Sequence, residues 1–374
     1  MNGVISRSKE DNTGLQPEKF ETYQILKKDE LVFKLIDLQN ISTSRVGLSQ
    51  SEGLVSPAYI IIHSNGSVLP SFAEKWFVNL WRTQVFNHIG DDGVRSSLNS
   101  SDLLNIPIAF PETDEQQSIS VYLDSRCSKI SALAADIQTQ IDTLEQYKRS
   151  IITEAVTKGL NSNAEMKDSG IEYVGEIPAH WNMHPLYYYF GERKHKNSLG
   201  KENNLLSLSY GNIIRKDINT SDGLVPESFN TYNIIEAGDI IMRPTDLQND
   251  KRSLRTGLAT EHGIITSAYI ALMPTKPVNV AYYHYLLHAF DVMKVFYNMG
   301  NGVRQGLNFS EFSRLMAFEP PITEPNEIAD YLDAKCSEID KVIADKNEQL
   351  STIEEYKKSL IYEYVTGKKE VPTA

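Results

Sequence analysis

A polar stretch that contains several glycines, MGNGVRQGLNFSEF at residues 299–312, carries the side chains best suited to recognise nucleic acid. Arginine fits a phosphate group or the edge of guanine, and asparagine or glutamine fits adenine. The glycines would let the backbone approach a ligand closely. A plain turn after a helix, with Arg304 bonding nearby carbonyl groups, explains the stretch equally well. The residues that we expect to contact DNA here are Asn301, Arg304, Gln305 and Asn308.

A second polar stretch, DLQNDKRSLRTG at residues 246–257, is basic and could contact phosphate groups. The alternative is a solvated hairpin loop that binds nothing. The cluster ERKHK at residues 192–196 is also basic, although it is weak evidence by itself. The candidate DNA-binding residues in this part of the chain are Lys251, Arg252, Arg255, Arg243, Arg215 and Lys216.

Catalytic side chains do not occur at spacings that indicate an enzyme. The sequence contains neither a phosphate-binding glycine motif nor the nucleophile elbow G-x-S-x-G, and its Cys and His spacing does not suit zinc. His284 and His288 stand four positions apart, but the aromatic residues around them favour a packing role. Asp37 and Asp246 each open a DLQN tetrapeptide, where a turn or capping role is more natural than catalysis. The sequence therefore predicts a non-catalytic protein that holds no cofactor or metal of its own.

The chain contains an internal duplication. Residues 122–157 and 331–366, which lie 209 positions apart, share 18 of 36 residues. Upstream of them, DGVRSSLNSSDL (92–103) corresponds to NGVRQGLNFSEF (301–312), and DLQNISTSRVG (37–47) corresponds to DLQNDKRSLRTG. The candidates that the first copy adds are Arg95, Asn99 and Arg45. Because residues 160 to about 209 have no counterpart, we expect the first copy to be incomplete at its N-terminal side.

Each copy combines strands and helices upstream of its duplicated segment. AGDIIMRP (237–244) and GIITSAYIALMP (263–274) are β-branched and bounded by turn-forming residues, which predicts strands. NVAYYHYLLHAFDVMKVFYNM (279–299) has the length and spacing of a buried helix, and residues 69–89 are its partner in the first copy. The expected fold class is α+β, with two mixed α/β domains.

The duplicated segments predict long helices that pair. Ile130, Ile137, Leu144 and Ile151 recur at seven-residue spacing, and Ile339, Ile353 and Leu360 follow the same pattern with Lys346 interrupting it. This spacing is typical of a coiled coil. Prolines at 111, 320 and 321 delimit the starts, and glycines at 159 and 367 delimit the ends. A core helix in a compact bundle is the alternative, but the matching stripe of the other copy favours an antiparallel pair.

The charge of the chain is concentrated in these segments. Of the net charge of −12, residues 112–159 and 320–374 contribute −3 and −5, so the other regions are nearly neutral and could still present local basic faces. No apolar run approaches the ~18 residues of a membrane-spanning helix. The N-terminus lacks the apolar stretch of a signal peptide, and there are only two cysteines. We therefore expect a cytoplasmic location without a membrane partner.

Two sets of residues give the chain a family resemblance. SGIEYVGEIPAHW (169–181) resembles the stretch that opens a target-recognition domain in specificity (S) subunits of type I restriction-modification systems. The pattern of YLD, regularly spaced isoleucines and leucines, EYK or QYK, and VT resembles the helical spacers of the same family, at residues 112–159 and 321–367. The resemblance covers essentially the whole chain, apart from the missing front of the first domain.

The resemblance implies a function and a domain plan. S subunits bind double-stranded DNA with a bipartite target, one half-site for each recognition domain, and an antiparallel helix pair sets the gap. Two modification (M) subunits methylate adenine with S-adenosylmethionine, and restriction (R) subunits use ATP; these cofactors, and Mg, belong to the partners. A chain that serves only as an assembly scaffold, or reads one half-site, is the alternative. The implied segments are domain 1 at 1–111, spacer helices at 112–159 and 321–367, domain 2 at 160–320, and a tail at 368–374.

Overall fold

The chain divides into two compact units, one formed by Met1–Gln140 and Asp345–Ala374 and the other by Ile141–Ala344. The computed structural model describes residues 3–6, 8, 20–36, 38, 44–89, 97–219, 228–245, 247, 254–299 and 306–372. Two long helices each contribute one part to the first unit and one part to the second. Both units contain strands and helices, which agrees with the mixed α and β fold that the sequence predicts.

The first unit contains short antiparallel strands. They are β1 (Gln24–Leu26), β2 (Leu31–Phe33), β3 (Val46–Leu48), β4 (Gly53–Val55) and β5 (Ile60–Ile62). A three-stranded sheet has the order β3-β2-β5, with Val32 opposite both Gly47 and Ile61, while β1 pairs with β4. The apolar, β-branched composition of these strands suits a half-buried pleated surface.

Four helices follow these strands in the chain: α1 (Pro70–Arg82), α2 (Val85–Ile89), α3 (Ser100–Leu104) and α4 (Thr113–Lys158). Proline at the first position of α1 starts the helix, since its missing N–H would have no helical partner there. Ala73, Phe77 and Trp81 recur every four residues on one face of α1 and are buried. Phe77 meets Phe33 of β2 edge to face, with 5.0 Å between ring centroids, so this face covers the sheet.

The second unit has a larger set of strands. They are β6 (Met166–Asp168), β7 (Glu176–Pro178), β8 (Asn182–Pro185), β9 (Phe190–Glu192), β10 (Leu206–Ser209), β11 (Asn212–Arg215), β12 (Asn233–Ile235), β13 (Ile240–Met242), β14 (Thr256–Leu258), β15 (Gly263–Ile265), β16 (Ile270–Pro274) and β17 (Met316–Glu319). The main sheet has the order β14-β13-β16-β9, all antiparallel, and the remaining strands form the pairs β6-β7, β17-β8, β10-β11 and β12-β15.

The helices of the second unit pack on this sheet. They are α5 (Val280–Val292), α6 (Phe309–Phe312) and the last helix, α7 (Glu324–Val365). Trp181, Phe290 and Phe318 are completely buried in the core, where Phe318 meets both of the other rings. Among the described residues of the first unit no strand corresponds to β9, whose residues belong to the stretch without a counterpart in the sequence.

Three elements are shorter than the sequence predicts. The predicted helix over 279–299 ends at Val292, because Lys294 adopts a left-handed conformation with φ 63° and a short 3₁₀ turn follows. In the first unit Gln84, with φ 59°, interrupts the predicted helix over 69–89 at the matching place. The predicted strand over 263–274 is likewise two strands, β15 and β16, separated by a turn.

In the first unit α4 and α7 run antiparallel. Contacts join Tyr122 to Tyr364 (hydroxyl to hydroxyl, 3.2 Å) and Ser131 to Lys357 (Oγ to Nζ, 2.6 Å). The residue number rises along α4 while it falls along α7, which defines the antiparallel direction. The apolar seam contains Ile119, Leu123, Leu360 and Ile361, all buried.

The second unit contains the other part of this pairing. Lys148 Nζ of α4 lies 2.6 Å from a carboxylate oxygen of Asp340 of α7, so the two helices are in contact here as well. Ile151 and Ala155 of α4 are buried, as are Leu332 and Ile339 of α7. Gly159 and Gly367 follow the helix ends with φ 74° and 69°, as the sequence predicts for helix termination. None of the described helices combines the length and the apolar character that crossing a membrane would require.

Candidate nucleic-acid interface

The described residues that border the two polar stretches lie side by side in the second unit. Stretch 246–253 follows Thr245, and the stretch that ends near Gly306 returns to the fold at Leu307. The backbone N–H of Leu307 donates to the carbonyl of Pro244 at 3.0 Å. One main-chain hydrogen bond therefore anchors the end of one stretch beside the start of the other.

Arg255 holds both ends of stretch 246–253. Its side chain is completely buried, and its Nη1 donates to the carbonyl of Thr245 at 2.6 Å. Its backbone N–H donates to a carboxylate oxygen of Asp291 on α5, which is also buried. The expected DNA contact by Arg255 would require the side chain to leave this position, so the structure gives it an anchoring role instead.

The first unit repeats these anchors. Leu98 donates its N–H to the carbonyl of Leu35 at 3.1 Å, as Leu307 does to Pro244. Lys34 donates its N–H to the carbonyl of Arg45 at 3.0 Å, as Arg243 does to Arg255 at 2.8 Å. Arg45 is also buried, with 1% of its surface exposed, so the same correction applies to its predicted DNA contact. The duplication thus extends to individual hydrogen bonds.

Two candidate asparagines cap short helices. The side-chain oxygen of Asn308 accepts the N–H of Glu311 at 3.0 Å, and Glu311 in turn accepts the N–H of Asn308 at 3.0 Å. Asn99 and Asp102 form the same reciprocal pair in the first unit, with both distances 3.0 Å. This capping box satisfies backbone donors that the first helical turn leaves without partners. Both asparagines therefore fix the chain directly after a polar stretch, and base contact by their amides remains a prediction.

The remaining candidates fall into two groups. Arg215 and Lys216 lie exposed at the end of β11, and Arg243 is partly buried beside β14. Arg215 chelates Glu261 with its Nε 2.8 Å from both carboxylate oxygens, and this pairing lowers the pKa of Glu261. A phosphate group would compete with Glu261 for this guanidinium group. The candidates that lie outside the described residues are Asn301, Arg304, Gln305, Lys251, Arg252 and Arg95.

The sequence analysis missed the hairpin that joins β10 to β11. Tyr210 and Gly211 form its two-residue turn with φ 46° and 82°, and positive φ at both positions is the requirement of a type I′ turn. A Cβ added to Gly211 would lie 3.0 Å from Leu254 Cδ1, so the turn lies against the residue that follows stretch 246–253. Tyr210 is 75% exposed. The signal in the sequence is Tyr-Gly-Asn between two alternating apolar runs.

A histidine between two carboxylates fastens the segment before this hairpin. His262 Nε2 lies 2.7 Å from Glu202, and its Nδ1 lies 2.9 Å from Glu236; we call these three residues the His262 clamp. The hydrogen bond to Glu236, followed by that to Glu202, raises the pKa of His262. Backbone N–H groups, Asn204 first, together with His262 lower the pKa of Glu202. The clamp therefore favours a charged imidazole near neutral pH.

The residues around the hairpin and the His262 clamp are suited to hydrogen bonding and charge interactions rather than to metal binding. Within the described ranges, no group of three His, Cys, Asp or Glu side chains could hold a metal ion. Burial lowers the pKa of His284 to about 4 and that of His288 to about 3, so both are neutral at pH 7 and packed on α5. The exposed side chains of the hairpin and its flank include the phenol of Tyr210, the amide of Asn212 and the cations of Arg215 and Lys216, beside the apolar Ile214 and the carboxylate of Asp217.

Comparisons with known proteins bear on the family resemblance that the sequence indicates. No protein-family model matches the chain. A relative from Methanocaldococcus jannaschii, which carries the provisional name of specificity subunit of the type I restriction enzyme MjaX, is 26% identical over 296 residues. The alignment covers 77% of this chain and 65% of the relative, so the chain spans slightly less than two thirds of that protein's length.

A solved structure shares the fold. It comes from work on complex assembly and conformational transition of a type I restriction-modification system, and it matches with a TM-score of 0.69 over 93% of this chain and 84% of that chain, at 13% identity. Together the relative and the shared fold confirm the resemblance to type I specificity subunits that the sequence indicates.

Proposed function

We propose that this chain is the DNA-reading specificity subunit of a type I restriction-modification complex. Each unit reads one half of a bipartite DNA target, and the antiparallel helices α4 and α7 set the gap between the halves. Two M subunits methylate adenine, and R subunits cleave DNA. The chain itself catalyses no reaction, and it acts in the cytoplasm, where chromosomal DNA is accessible.

The repeated anchors carry this proposal. The bonds from Leu98 to Leu35 and from Leu307 to Pro244 hold polar stretches at equivalent places. The stretches themselves differ, since DLQNISTSRVG has one basic residue where DLQNDKRSLRTG has three. One scaffold that presents two different polar surfaces suits a protein that reads two different half-sites, because base edges are distinguished by the side chains presented to them.

The long helices suit a spacer. At about 1.5 Å per residue the 46 residues of α4 extend ~69 Å. Readers of two major-groove half-sites on one face need a separation of about one helical turn, ~34 Å, or more. A helix pair of this length supports such a separation. In this proposal the recognition modules are residues 1–111 and 160–320, the spacer helices are 112–159 and 321–367, and 368–374 is a tail.

The charge distribution fits sequence reading within a complex. The helical segments carry most of the net charge of −12, while the recognition modules are nearly neutral. Non-specific DNA affinity comes mainly from the release of counterions by basic residues, so a nearly neutral reader binds weakly outside its target. Its partners supply further positive charge, and base contacts by this chain select the sequence.

An exchange of modules tests the proposal. Replacing residues 160–320 by the matching module of a related chain should change one half of the methylated sequence and leave the other half unchanged. Long-read mapping of methylated adenines in cells with the original and the exchanged gene measures this. An exchange of residues 1–111 is the matched control and should change the opposite half. A methylated sequence that stays the same after both exchanges would refute the proposal.

A narrower function has one observation in its favour. Among the described residues, the first unit has a sheet of three strands where the second has four. A chain that reads only one half-site, or that serves as an assembly scaffold, would then retain specificity in the second unit alone or in neither. The control exchange of residues 1–111 separates these cases, because it would leave the methylated sequence unchanged in a one-sided reader.

A single residue tests the polar stretch that lies outside the described residues. Arg304→Ala should weaken binding of the target duplex and leave the association with M subunits intact. Arg149→Ala, which removes an arginine that is about half exposed on α4, is the matched control and should leave DNA binding unchanged. Loss of both DNA binding and M-subunit association in the Arg304 variant would indicate misfolding instead.

A further inference from the structure

We propose that Tyr210, at the tip of the hairpin between β10 and β11, is a specificity-determining DNA contact of the second unit. The inference rests on the proposed function and adds a recognition element to the two polar stretches. The ring of Tyr210 packs against one nucleotide of the second half-site, and the basic end of β11 contacts the phosphate backbone nearby.

The conformation of Tyr210 is the first argument. Its φ of 46° lies in the left-handed region, where a Cβ crowds the following carbonyl group. Glycine, asparagine and aspartate are the usual residues in this position of a type I′ turn. A tyrosine there is unfavourable for folding, and with 75% of the residue exposed little packing compensates for it. The turn requires this conformation but not a tyrosine, and residues held in an unfavourable conformation are found preferentially at functional sites.

Comparison with other residues in the same conformation strengthens this argument. Within the described ranges the other non-glycine residues with positive φ are Asp29, Gln84 and Lys294. Gln84 and Lys294 occupy matching places, where each terminates a helix of its unit. Asp29 stands in the turn between β1 and β2, where its N–H donates to the carbonyl of Ser49. These three have evident structural roles and hydrophilic side chains, whereas Tyr210 exposes an aromatic ring.

The position of the hairpin is the second argument. Gly211 lies against Leu254, the residue directly after stretch 246–253, and a Cβ on Gly211 would also come within 3.6 Å of the carbonyl of Thr256. The hairpin tip is therefore a neighbour of the strand that leaves this stretch. Pro244 and Leu307 bring the second polar stretch to the same strand pair. The hairpin tip and the described residues that border both polar stretches therefore lie beside the pair β13-β14.

The chemistry of the hairpin is the third argument. Asn212 is exposed next to the turn, and Arg215 and Lys216 are exposed at the end of β11. An aromatic ring, an amide and two cations within one hairpin match the needs of a duplex, which offers apolar base and sugar surfaces, base edges and phosphates. Arg215 is held by Glu261, which keeps the guanidinium group in place until a phosphate competes for it.

The experiment uses Tyr210→Gly, because glycine suits the positive φ and the variant should fold at least as well as the original protein. With the full chain assembled with its M subunits, we measure binding to a duplex that carries the methylated sequence mapped in cells and to a scrambled duplex. Affinity for the target duplex should fall about tenfold, the effect of exposing again roughly 55 Å² of apolar ring surface at about 25 cal/mol per Å². The midpoint of thermal unfolding should stay the same or rise.

Two further variants complete the test. Tyr210→Phe should retain most of the affinity, because the ring remains. Tyr147→Ala removes another tyrosine, 54% exposed on α4, and should leave both affinity and stability unchanged. Substituting bases one at a time should show that Tyr210→Gly alters discrimination in the second half-site only.

The outcomes separate this inference from the proposed function. If the original protein prefers its target duplex and Tyr210→Gly binds as tightly with the same base preferences, the hairpin contact is refuted and the proposed function stands. If the original protein shows no preference between target and scrambled duplexes, the proposed function fails, and the inference that rests on it fails as well.

Discussion

Replacing Arg255 by methionine should destabilise the second unit while leaving the surface that we propose to contact DNA chemically intact. The side chain is completely buried and its Nη1 bonds the carbonyl of Thr245 at 2.6 Å. A hydrogen bond from a charged group contributes about 1.5–3 kcal/mol, and leaving a buried acceptor without a partner costs a further 1 kcal/mol or more, so we expect a loss of about 2–4 kcal/mol. Methionine keeps much of the volume, which limits the cavity.

Urea unfolding combined with hydrogen exchange measures this prediction. Exchange at backbone amides should accelerate in peptides from residues 141–344 and stay unchanged in the first unit. Arg45→Met, which removes the matching buried arginine, should show the reverse pattern. Arg215→Met is the exposed control and should leave the unfolding midpoint of both units unchanged. We expect DNA affinity, measured at urea concentrations well below the unfolding transition, to fall only through the loss of the Arg255 hydrogen bond that anchors stretch 246–253.

The opposite pattern would refute this role for Arg255. If Arg255→Met weakened DNA binding tenfold or more while the free energy of unfolding and the exchange rates stayed unchanged, the side chain would act on DNA directly. It would then have to leave its buried position when DNA binds. The expectation from the sequence would be right, and the anchoring role inferred from the structure would be wrong.

Three further predictions concern the anchors, the clamp and the helix pair. Asn308→Ala should lower the free energy of unfolding by about 1 kcal/mol, and Asn308→Ser by much less, because a serine side chain can also cap the helix. The same two substitutions at Asn99 should destabilise only the first unit. Hydrogen exchange in the helix that follows each asparagine measures both effects. His262 has a raised pKa in the folded state, so its stabilising contribution is complete below the unfolded pKa of about 6.5 and is lost as pH rises through the folded pKa. His262→Gln should therefore lower the thermal midpoint more at pH 6 than at pH 8, and an equal shift at both would contradict the clamp. A double-mutant cycle of Lys148→Ala and Asp340→Ala should give a coupling below about 1 kcal/mol, since both side chains are partly exposed.

The long helices and their pairing direction follow from the sequence because local signals and the seven-residue period agree. Gly159 and Gly367 mark the ends, and Ile151 and Ile339 lie buried at predicted seam positions. The interruption at Lys294 could not be predicted in the same way. A lysine carries no sign of a left-handed conformation, and an apolar pattern continues past it, so the end of α5 depends on packing rather than on local propensity.

For the candidate site, the sequence misled the prediction of which basic residues are exposed. A basic residue in a polar stretch suggests exposure, yet Arg45 and Arg255 are buried. The duplication held a usable signal, because arginine is kept at this position in both copies while Lys251 and Arg252 have no basic counterparts. A charge that is kept where its neighbours change points to a structural requirement. The exposure of Tyr210 could be predicted only after the two-residue turn had been recognised.

The main-chain anchors have a consequence for how such a protein diversifies. The bonds from Leu98 to Leu35 and from Leu307 to Pro244 use backbone groups, which every residue except proline supplies in full. Substitutions, and even short cassette exchanges, between these fixed points leave the fastening intact. In the proposed DNA reader, mutation and recombination can therefore change target preferences without rebuilding the core, and a cell lineage could acquire a new methylation pattern from a few altered codons.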